Sequence, residues 1–278
     1  MKVKHLVGAF LCVLGCYACS SPKTEVQSPD GHIKMTLTVD ENGKPFYNVS
    51  VDDSLLIENS AMGFTAANGI ILAEGFQVKN TTFSSEDETW TQPWGENKKN
   101  RNHYNEMAVS LTNEDQVQLT LRFRVFDDGI GFRYEYTVPT VDSLLITDEL
   151  TTFRFHRDGT SWSIPASAET YELLYQQQPI SEVETANTPF TFKTADGVYG
   201  SIHEAALYDF PEMTLKQIGH YTLKAELAPW PDGIKARKGN HFTTSWRTVQ
   251  IAPEAVGLIN SSLILNCLLY TSDAADDL

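Results

Sequence analysis

The chain is 278 residues long and carries 21 Lys plus Arg against 36 Asp plus Glu, which gives a formal net charge of −15. This length is sufficient for a large hydrophobic core, and the acidic balance argues against nucleic acid as a partner, because affinity for phosphate backbones comes mainly from neutralising their charge. The four cysteines, at positions 12, 16, 19 and 267, cannot supply a disulfide framework for the long region between the third and the fourth.

The N-terminal segment MKVKHLVGAFLCVLGCYACSSPK has the pattern of an export signal. Two lysines precede an apolar run that is too short to cross a bilayer as a helix. The pairs Gly15-Cys16 and Ala18-Cys19 each resemble a bacterial lipoprotein cleavage site. We therefore predict a signal peptide over residues 1–19 and an exported protein that meets a membrane only through an N-terminal lipid. Lipidation at Cys16, lipidation at Cys19 and plain cleavage stay open as alternatives.

Short runs in which apolar and polar residues alternate follow this segment, and turn residues separate them. This period of two is typical of half-buried β-strands, and no stretch of twelve residues has a helical period. The predicted strands lie at 33–39, 46–51, 117–125, 131–138, 152–155, 190–192, 200–202, 221–227 and 248–251. We predict an all-β fold, one large antiparallel β-sandwich over residues 25–266.

The C-terminal segment CLLYTSDAADDL, residues 267–278, breaks this pattern. Strand alternation stops there in the middle of an element, and an acidic, structureless sequence follows. We predict that this tail is a truncation or reading-frame artefact. An ordinary flexible C-terminus is the alternative, because chain ends are commonly disordered.

The stretch FRVFDDGIGFRYEY, residues 123–136, places Asp127, Asp128 and Gly129 between two alternating runs. Asp-Gly between such runs is a strong hairpin signal, since glycine accepts the positive φ that tight turns require. A calcium loop would need acidic residues at alternating spacing and a downstream glutamate, and that pattern is absent from the sequence. We predict a turn.

Sequence motifs for a nucleophile, a zinc protease site or a nucleotide-binding loop do not occur in the region after the signal. This argues against serine hydrolases, metalloproteases and nucleotide-dependent enzymes. It does not argue against glycosidases, because their paired carboxylates have no fixed local spacing.

The segment WTQPWGENKKNRNHYNE, residues 90–106, combines aromatic rings with amide and guanidinium donors. Trp94, Arg101, Asn102 and Tyr104 could stack on the C–H face of a sugar and bind its hydroxyl groups. We expect a loop-like setting for this segment. The alternative is a long loop folded over the sandwich, with tryptophans that only pack.

Two further clusters hold acidic residues. In WSIPASAETYELLY, residues 162–175, Glu169 and Glu172 could be ligands of a hard cation or solvated surface charges. In GSIHEAALYDF, residues 200–210, the adjacent His203 and Glu204 could be an acid–base pair, or His203 could be a hydrogen-bonded structural residue.

The segment TTSWRT, residues 243–248, adds Trp246 and Arg247. The two side chains suit stacking on a ligand or pairing with a carboxylate. The sequence by itself does not choose between a ligand contact and a packing role for either residue.

Six motifs in this order resemble the N-terminal domain of glycoside hydrolase family 97, which includes starch-utilisation α-glucosidases of gut Bacteroides and related α-galactosidases. They are SPDG (28–31), WGENKKNRNHYNE (94–106), FRVFDDGIGFRYEY (123–136), TYELLY (170–175), DGVYGSIHEAALYDF (196–210) and SWRTV (245–249). One departure is Ser245, where relatives more usually have proline. The resemblance covers almost the whole chain after the signal.

This resemblance implies a β-supersandwich of the galactose mutarotase type, followed in relatives by a (β/α)₈ barrel that carries the catalytic carboxylates. The chain would then end before the barrel and hold no catalytic residue. The resemblance also implies a calcium ion shared with the barrel and held here by Glu172, with Glu169 as the alternative register. An α-linked oligosaccharide and the chain's own barrel are the implied partners, in the periplasm or on the outer membrane of a Bacteroidetes-like bacterium.

The residues that we predict to line the substrate cleft come from three of the motifs. They are Trp94, Arg101, Asn102, Tyr104, His203, Glu204, Trp246 and Arg247. A stand-alone carbohydrate-binding or surface-assembly module is the alternative function. A mutarotase-like enzyme that uses His203 and Glu204 is a third hypothesis.

Overall fold

The structure, a computed structural model, describes residues 24–93, 95, 97–167, 169–263 and 268. The predicted signal peptide, Trp94 and the tail at 267–278, apart from Leu268, lie outside the described residues. Within the described ranges the chain forms 22 strands, two turns of 3-10 helix and one short α-helix. The predicted all-β fold is confirmed.

The strands of the first half are given in chain order. They are β1 (Glu25–Gln27), β2 (Ile33–Val39), β3 (Pro45–Val51), β4 (Ser54–Ala61), β5 (Phe64–Ala66), β6 (Ile71–Leu72), β7 (Gln77–Thr91), β8 (Lys99–Thr112), β9 (Gln118–Phe126), β10 (Gly129–Thr137) and β11 (Ser143–Glu149). A 3-10 turn at Ala67–Gly69 separates β5 from β6.

The second half continues in the same way. Its strands are β12 (Thr152–Arg154), β13 (Gly159–Ser163), β14 (Gln176–Pro179), β15 (Thr185–Asn187), β16 (Phe190–Thr194), β17 (Tyr199–Ala205), β18 (Met213–Gln217), β19 (Thr222–Leu227), β20 (Ala236–Gly239), β21 (His241–Thr243) and β22 (Trp246–Ala252). A 3-10 turn occupies Ile180–Glu182, and helix α1 spans Ala255–Asn260. The helices of the described residues are too short to cross a bilayer.

One ten-stranded sheet forms one layer of the sandwich, with the order β14-β13-β16-β17-β22-β10-β9-β8-β7 and with β21 added beside β10. Three four-stranded sheets, β1-β2-β3-β4, β20-β11-β5-β6 and β12-β19-β18-β15, form the other layer. Buried side chains of all four sheets belong to one hydrophobic core. The strand pairs are antiparallel, as the alternating sequence predicts.

Strand β10 is the centre of this core, because its inward-facing rings contact each of the smaller sheets. Phe132 lies 4.9 Å from Tyr47 of β3 and 6.5 Å from Phe153 of β12, measured between ring centroids. Tyr134 meets Phe64 of β5 edge-on at 5.0 Å. Each of these fully buried rings contributes about 1.5–3 kcal/mol through removal of apolar surface from water, so one strand connects the two layers.

The turn between β9 and β10 confirms the hairpin prediction, with a different role for the glycine. Phe126 pairs with Gly129, so the two-residue turn consists of Asp127 and Asp128. Gly129 is the first residue of β10, with φ +149°, and a Cβ there would lie 2.4 Å from the carbonyl oxygen of Val249. Glycine is therefore required by the close approach of β22 as well as by its φ.

The segment 90–106 is not a loop, and this expectation was wrong. It contains the end of β7, a short connection and the first part of β8, which pair from Gln77 with Thr112 to Thr91 with Lys99. The alternation was not visible because most side chains of β7 are exposed on both faces, so the strand has no apolar stripe. Pairing of β8 with β9 begins at Tyr104, and residues 99–103 extend past β9 as a two-stranded arm.

Candidate functional site

A pocket of about 380 Å³ lies where β15 and β17 end and β18 begins. Its lining includes His203 and Glu204 from β17, Asn187 from β15, and Tyr171 and Glu212 from the adjoining loops. The Tyr171 hydroxyl donates a 2.5 Å hydrogen bond to Glu212, which raises the pKa of Tyr171 to about 12. The pocket thus combines an imidazole, two carboxylates and an amide, the groups that bind hydroxyl-rich ligands.

Glu204 connects the pocket to a buried ion triad. Arg247 donates to Glu149 at 2.9 and 2.5 Å and to Glu204 at 2.6 Å. The other oxygen of Glu204 accepts the backbone N–H of Met213 at 3.0 Å. Burial raises the pKa of Glu204 although the positive charge of Arg247 opposes the shift. In Arg247, burial alone lowers the pKa, and the charge of Glu149 reverses this effect and raises it.

His203 and Glu204 do not form an acid–base pair, because successive side chains leave a strand on opposite faces. The imidazole Nδ1 lies 2.9 Å from the Thr188 hydroxyl, whereas Glu204 reaches inward to Arg247. Burial lowers the pKa of His203. The geometry therefore gives no support to the mutarotase-like hypothesis that uses this pair.

Asn187 and Glu212 are pocket residues that the sequence did not indicate, and Asn187 is the buried one. Its side chain is 2% exposed, and neither amide atom has a hydrogen-bond partner among the described residues. A buried amide without partners is unfavourable by about 1–3 kcal/mol. Because Asn187 lines the pocket, its amide is a candidate partner for a ligand or water bound there. No local sequence signal distinguishes this asparagine from an ordinary turn residue.

Glu172 lies beside the pocket, next to Tyr171, in an exposed segment. Its backbone N–H donates to Thr170 Oγ1 at 3.0 Å. In the described part of the chain, no three His, Cys, Asp or Glu side chains lie close enough together to hold a metal ion. Calcium takes six to eight oxygen ligands, so the described residues around Glu172 would supply only part of such a coordination shell.

Tyr104 and Trp246 meet in a small apolar cluster on the outer face of the large sheet, and this cluster includes Ala205 of the pocket wall. The Arg124 guanidinium lies 4.4 Å from the Tyr104 ring and 5.0 Å from the Trp246 ring, and Arg133 lies 4.7 Å from the latter. Leu268 packs into the same small apolar cluster. Trp246 is fully buried, as is Arg247, which belongs to the triad. The predicted substrate contacts of Trp246 and Arg247 stay predictions, and the burial of both side chains does not support them.

Arg101 and Asn102 lie on the two-stranded arm. Arg101 forms a bidentate pair with Asp87 at 2.7 and 2.8 Å. Asn102 is buried and donates to Glu88 at 3.1 Å. The structure therefore does not bring the seven predicted cleft residues that it describes into one place. His203 and Glu204 line the pocket, and Arg247 holds Glu204 through a hydrogen bond.

The fold and the pocket define a large antiparallel β-sandwich domain with a carboxylate-lined site at one end. The family model described as glycosyl-hydrolase 97 N-terminal matches residues 26–268. The chain therefore belongs to the family of N-terminal domains of glycoside hydrolase family 97, which confirms the resemblance seen in the sequence.

Two relatives illustrate this membership. A retaining α-galactosidase of Bacteroides thetaiotaomicron is 25% identical in an alignment of 246 residues that covers 82% of this chain and 36% of that protein. A family 97 enzyme of Pseudoalteromonas sp. strain K8, solved with panose and with acarbose, is 38% identical with a TM-score of 0.84 over 87% of this chain and 38% of that chain. The chain thus spans little more than a third of these relatives.

A β-arabinopyranosidase has a similar fold, with a TM-score of 0.75 at 20% identity over 82% of this chain. This likeness concerns the fold alone.

Proposed function

We propose that this domain belongs to an exported α-glycosidase, an α-glucosidase or α-galactosidase, and that it packs on a (β/α)₈ barrel and completes its substrate cleft and calcium site. The observation that carries this proposal is the exposed apolar surface beside Glu172. The side chains of Tyr171, Leu173, Leu174 and Tyr175 are 55%, 38%, 89% and 69% exposed.

This surface, which we call the Glu172 patch (residues 171–175), continues across the pocket. Leu207, which also lines the pocket, is 44% exposed, and its neighbour Tyr208 is 67% exposed. Contiguous apolar side chains of this kind mark protein–protein interfaces rather than ordinary solvent-facing surface. Since about three-fifths of each relative lies beyond the matched domain, the occupant that we propose is the following barrel of the same polypeptide.

Within this arrangement Glu172 would be the ligand that the domain contributes to a shared calcium ion. A bound calcium ion acts as a Lewis acid and as a template for the substrate. The chain's own pocket groups, Asn187, His203 and Glu212, would donate and accept hydrogen bonds to hydroxyl groups of an α-linked oligosaccharide. Export to the periplasm or the outer membrane follows from the signal pattern and belongs to the same proposal.

The calcium role is tested in the complete enzyme by comparing Glu172→Gln with Glu169→Gln, a matched control three residues away. The calcium concentration that restores half of the glycosidase activity after chelation should rise at least about tenfold for Glu172→Gln, which equals about 1.4 kcal/mol. It should change little for Glu169→Gln. The reverse ranking would assign the ligand to Glu169, and no change in either would refute the shared site.

The packing role is tested with Leu174→Asp. Because Leu174 is 89% exposed in this domain, the substitution should leave the melting temperature of the isolated chain unchanged. In the complete enzyme it should lower the melting temperature and the activity, since a carboxylate would be buried against the barrel. Equal behaviour of the two proteins would refute an interface at the Glu172 patch and would favour a stand-alone module.

A further inference from the structure

A second pocket, of about 400 Å³, lies beside the turn that follows β19, and it has an exposed tryptophan at its mouth. Trp230 is 59% exposed. The backbone N–H of Trp230 donates to the carbonyl of Ile234, and the backbone carbonyl of Trp230 accepts the N–H of Gly233, both at 2.8 Å. Asp232 of the same turn is ion-paired with Arg237 of β20. The indole is therefore presented on a backbone that is fixed at both ends of a tight turn.

The cations of this pocket are each paired with a carboxylate. Lys238 donates to Asp209 at 2.8 Å and Lys235 to Glu226 at 3.3 Å, and Arg237 pairs with Asp232. Three positive and three negative charges cancel, although the chain as a whole carries a net charge of −15. A pocket without net charge does not select an anion or a cation, so its chemistry suits a neutral ligand.

The other residues that line the Trp230 pocket are apolar, and the paired charged side chains lie around them. Pro211 and Pro229 lie in the wall with Trp230, and the Asp209 side chain is 96% exposed whereas its partner Lys238 is 7% exposed. The hydrogen bond from Lys238 lowers the pKa of Asp209, so this carboxylate is an acceptor at neutral pH. An aromatic platform beside charge-balanced acceptors and donors matches a sugar ring, which has an apolar face and a hydroxyl rim.

We propose that the Trp230 pocket is a second carbohydrate-binding site, which holds a neutral α-linked oligosaccharide apart from the pocket of His203 and Glu204. The choice of an α-linked sugar rests on the proposed function. The pocket is distinct from the Glu172 patch in character, because paired ions surround its aromatic ring, whereas the patch is an apolar segment of chain. Its function would be to hold a chain of the polysaccharide near the enzyme.

The test is an isothermal calorimetric titration of the purified chain with maltoheptaose. Trp230→Ala should weaken binding at least about tenfold, which equals about 1.4 kcal/mol, and Asp209→Asn should weaken it by less. Phe83→Ala is the matched control, since Phe83 is a 52% exposed aromatic on the edge strand β7. It should leave binding unchanged, and all variants should keep the melting temperature of the parent chain.

Three results would overturn the proposal: no binding of maltoheptaose by the parent chain, binding that Trp230→Ala leaves intact, or equal binding of the β-linked cellohexaose. Binding that is lost in Asn187→Ala but kept in Trp230→Ala would place the sugar in the other pocket. None of these outcomes depends on Glu172, so failure of this site and failure of the proposed calcium role are separately visible.

Discussion

Replacement of Arg247 by methionine is the perturbation that the structure defines most sharply. The guanidinium is 1% exposed and is held between Glu149, which is fully buried, and Glu204, which is 8% exposed. It donates three hydrogen bonds to these carboxylates and one, at 2.9 Å, to the Ser245 hydroxyl. Methionine fills similar space but leaves two acidic side chains inside the protein without their cation.

The magnitude follows from burial. Removal of one partner from a buried ion pair is unfavourable by about 3–5 kcal/mol, because the charge that remains is not compensated. For a domain of this size each kcal/mol corresponds to roughly 2–4 °C, so the melting temperature should fall by about 6–20 °C. Part of this loss should be recovered at low pH, because burial raises the pKa of Glu204 and a protonated Glu204 needs no compensating cation.

Thermal and urea unfolding of the parent chain and of two variants measure this effect. Arg157→Met is the matched control, because Arg157 donates to Asp196 at 2.8 Å and both side chains are largely exposed. An exposed pair contributes about 0–1 kcal/mol. The triple variant with Arg247→Met, Glu149→Gln and Glu204→Gln removes the uncompensated charges and should be more stable than Arg247→Met alone.

Equal destabilisation by Arg247→Met and Arg157→Met would refute the reasoning, since the argument depends on the difference in burial. A triple variant no more stable than Arg247→Met would also refute it. That outcome would mean that lost packing, and not uncompensated charge, dominates at this position.

Three further outcomes are expected. Gly129→Ala should destabilise the domain by about 1–3 kcal/mol, because the new Cβ would lie 2.4 Å from the Val249 carbonyl oxygen. Gly197→Ala is the control, since the space around its Cβ is open, and it should have a smaller effect in the same urea titration. Phe132→Ala should destabilise by about 3–5 kcal/mol, with a clear loss of near-ultraviolet circular dichroism. Burial lowers the pKa of His203 in the folded chain. On acidification the unfolded chain therefore takes up the imidazole proton at a higher pH than the folded chain, and the free energy of unfolding falls as the pH decreases from neutrality. His203→Gln should reduce the difference in unfolding free energy between pH 7.5 and pH 5.5, and an unchanged difference would contradict the assignment.

Where a strand has one buried and one exposed face, its sequence predicted it well. Strand β2 has the predicted bounds 33–39, and its burial alternates residue by residue. The hairpin of β9 and β10 was predicted from the same signal. Alternation fails where a strand has no apolar face, as in β7, whose side chains are mostly exposed. Pairing with β8 through the backbone, and not the side-chain pattern, defines that strand.

The candidate site was harder to predict because its members are distant in the sequence. Glu149 lies 98 positions from Arg247, and no local pattern indicates the pair. Asn187 and Glu212 reach the pocket of His203 from separate elements. The resemblance to a family identified the segment around Glu172 and the segment around His203, but it could not tell which side chains face a ligand.

Strand geometry explains why sequence neighbours that look like one functional unit separate in this protein. Trp246 and Arg247 are adjacent in β22, yet Trp246 packs on the outer face with Tyr104 and Arg247 enters the core. The same holds for His203 and Glu204 in β17. The register pairs Glu204 with Arg247 directly across the two strands, and cross-strand neighbours of this kind interact far more closely than residues adjacent in one strand. In a β-sandwich, therefore, candidate pairs are better sought across strands than along the chain.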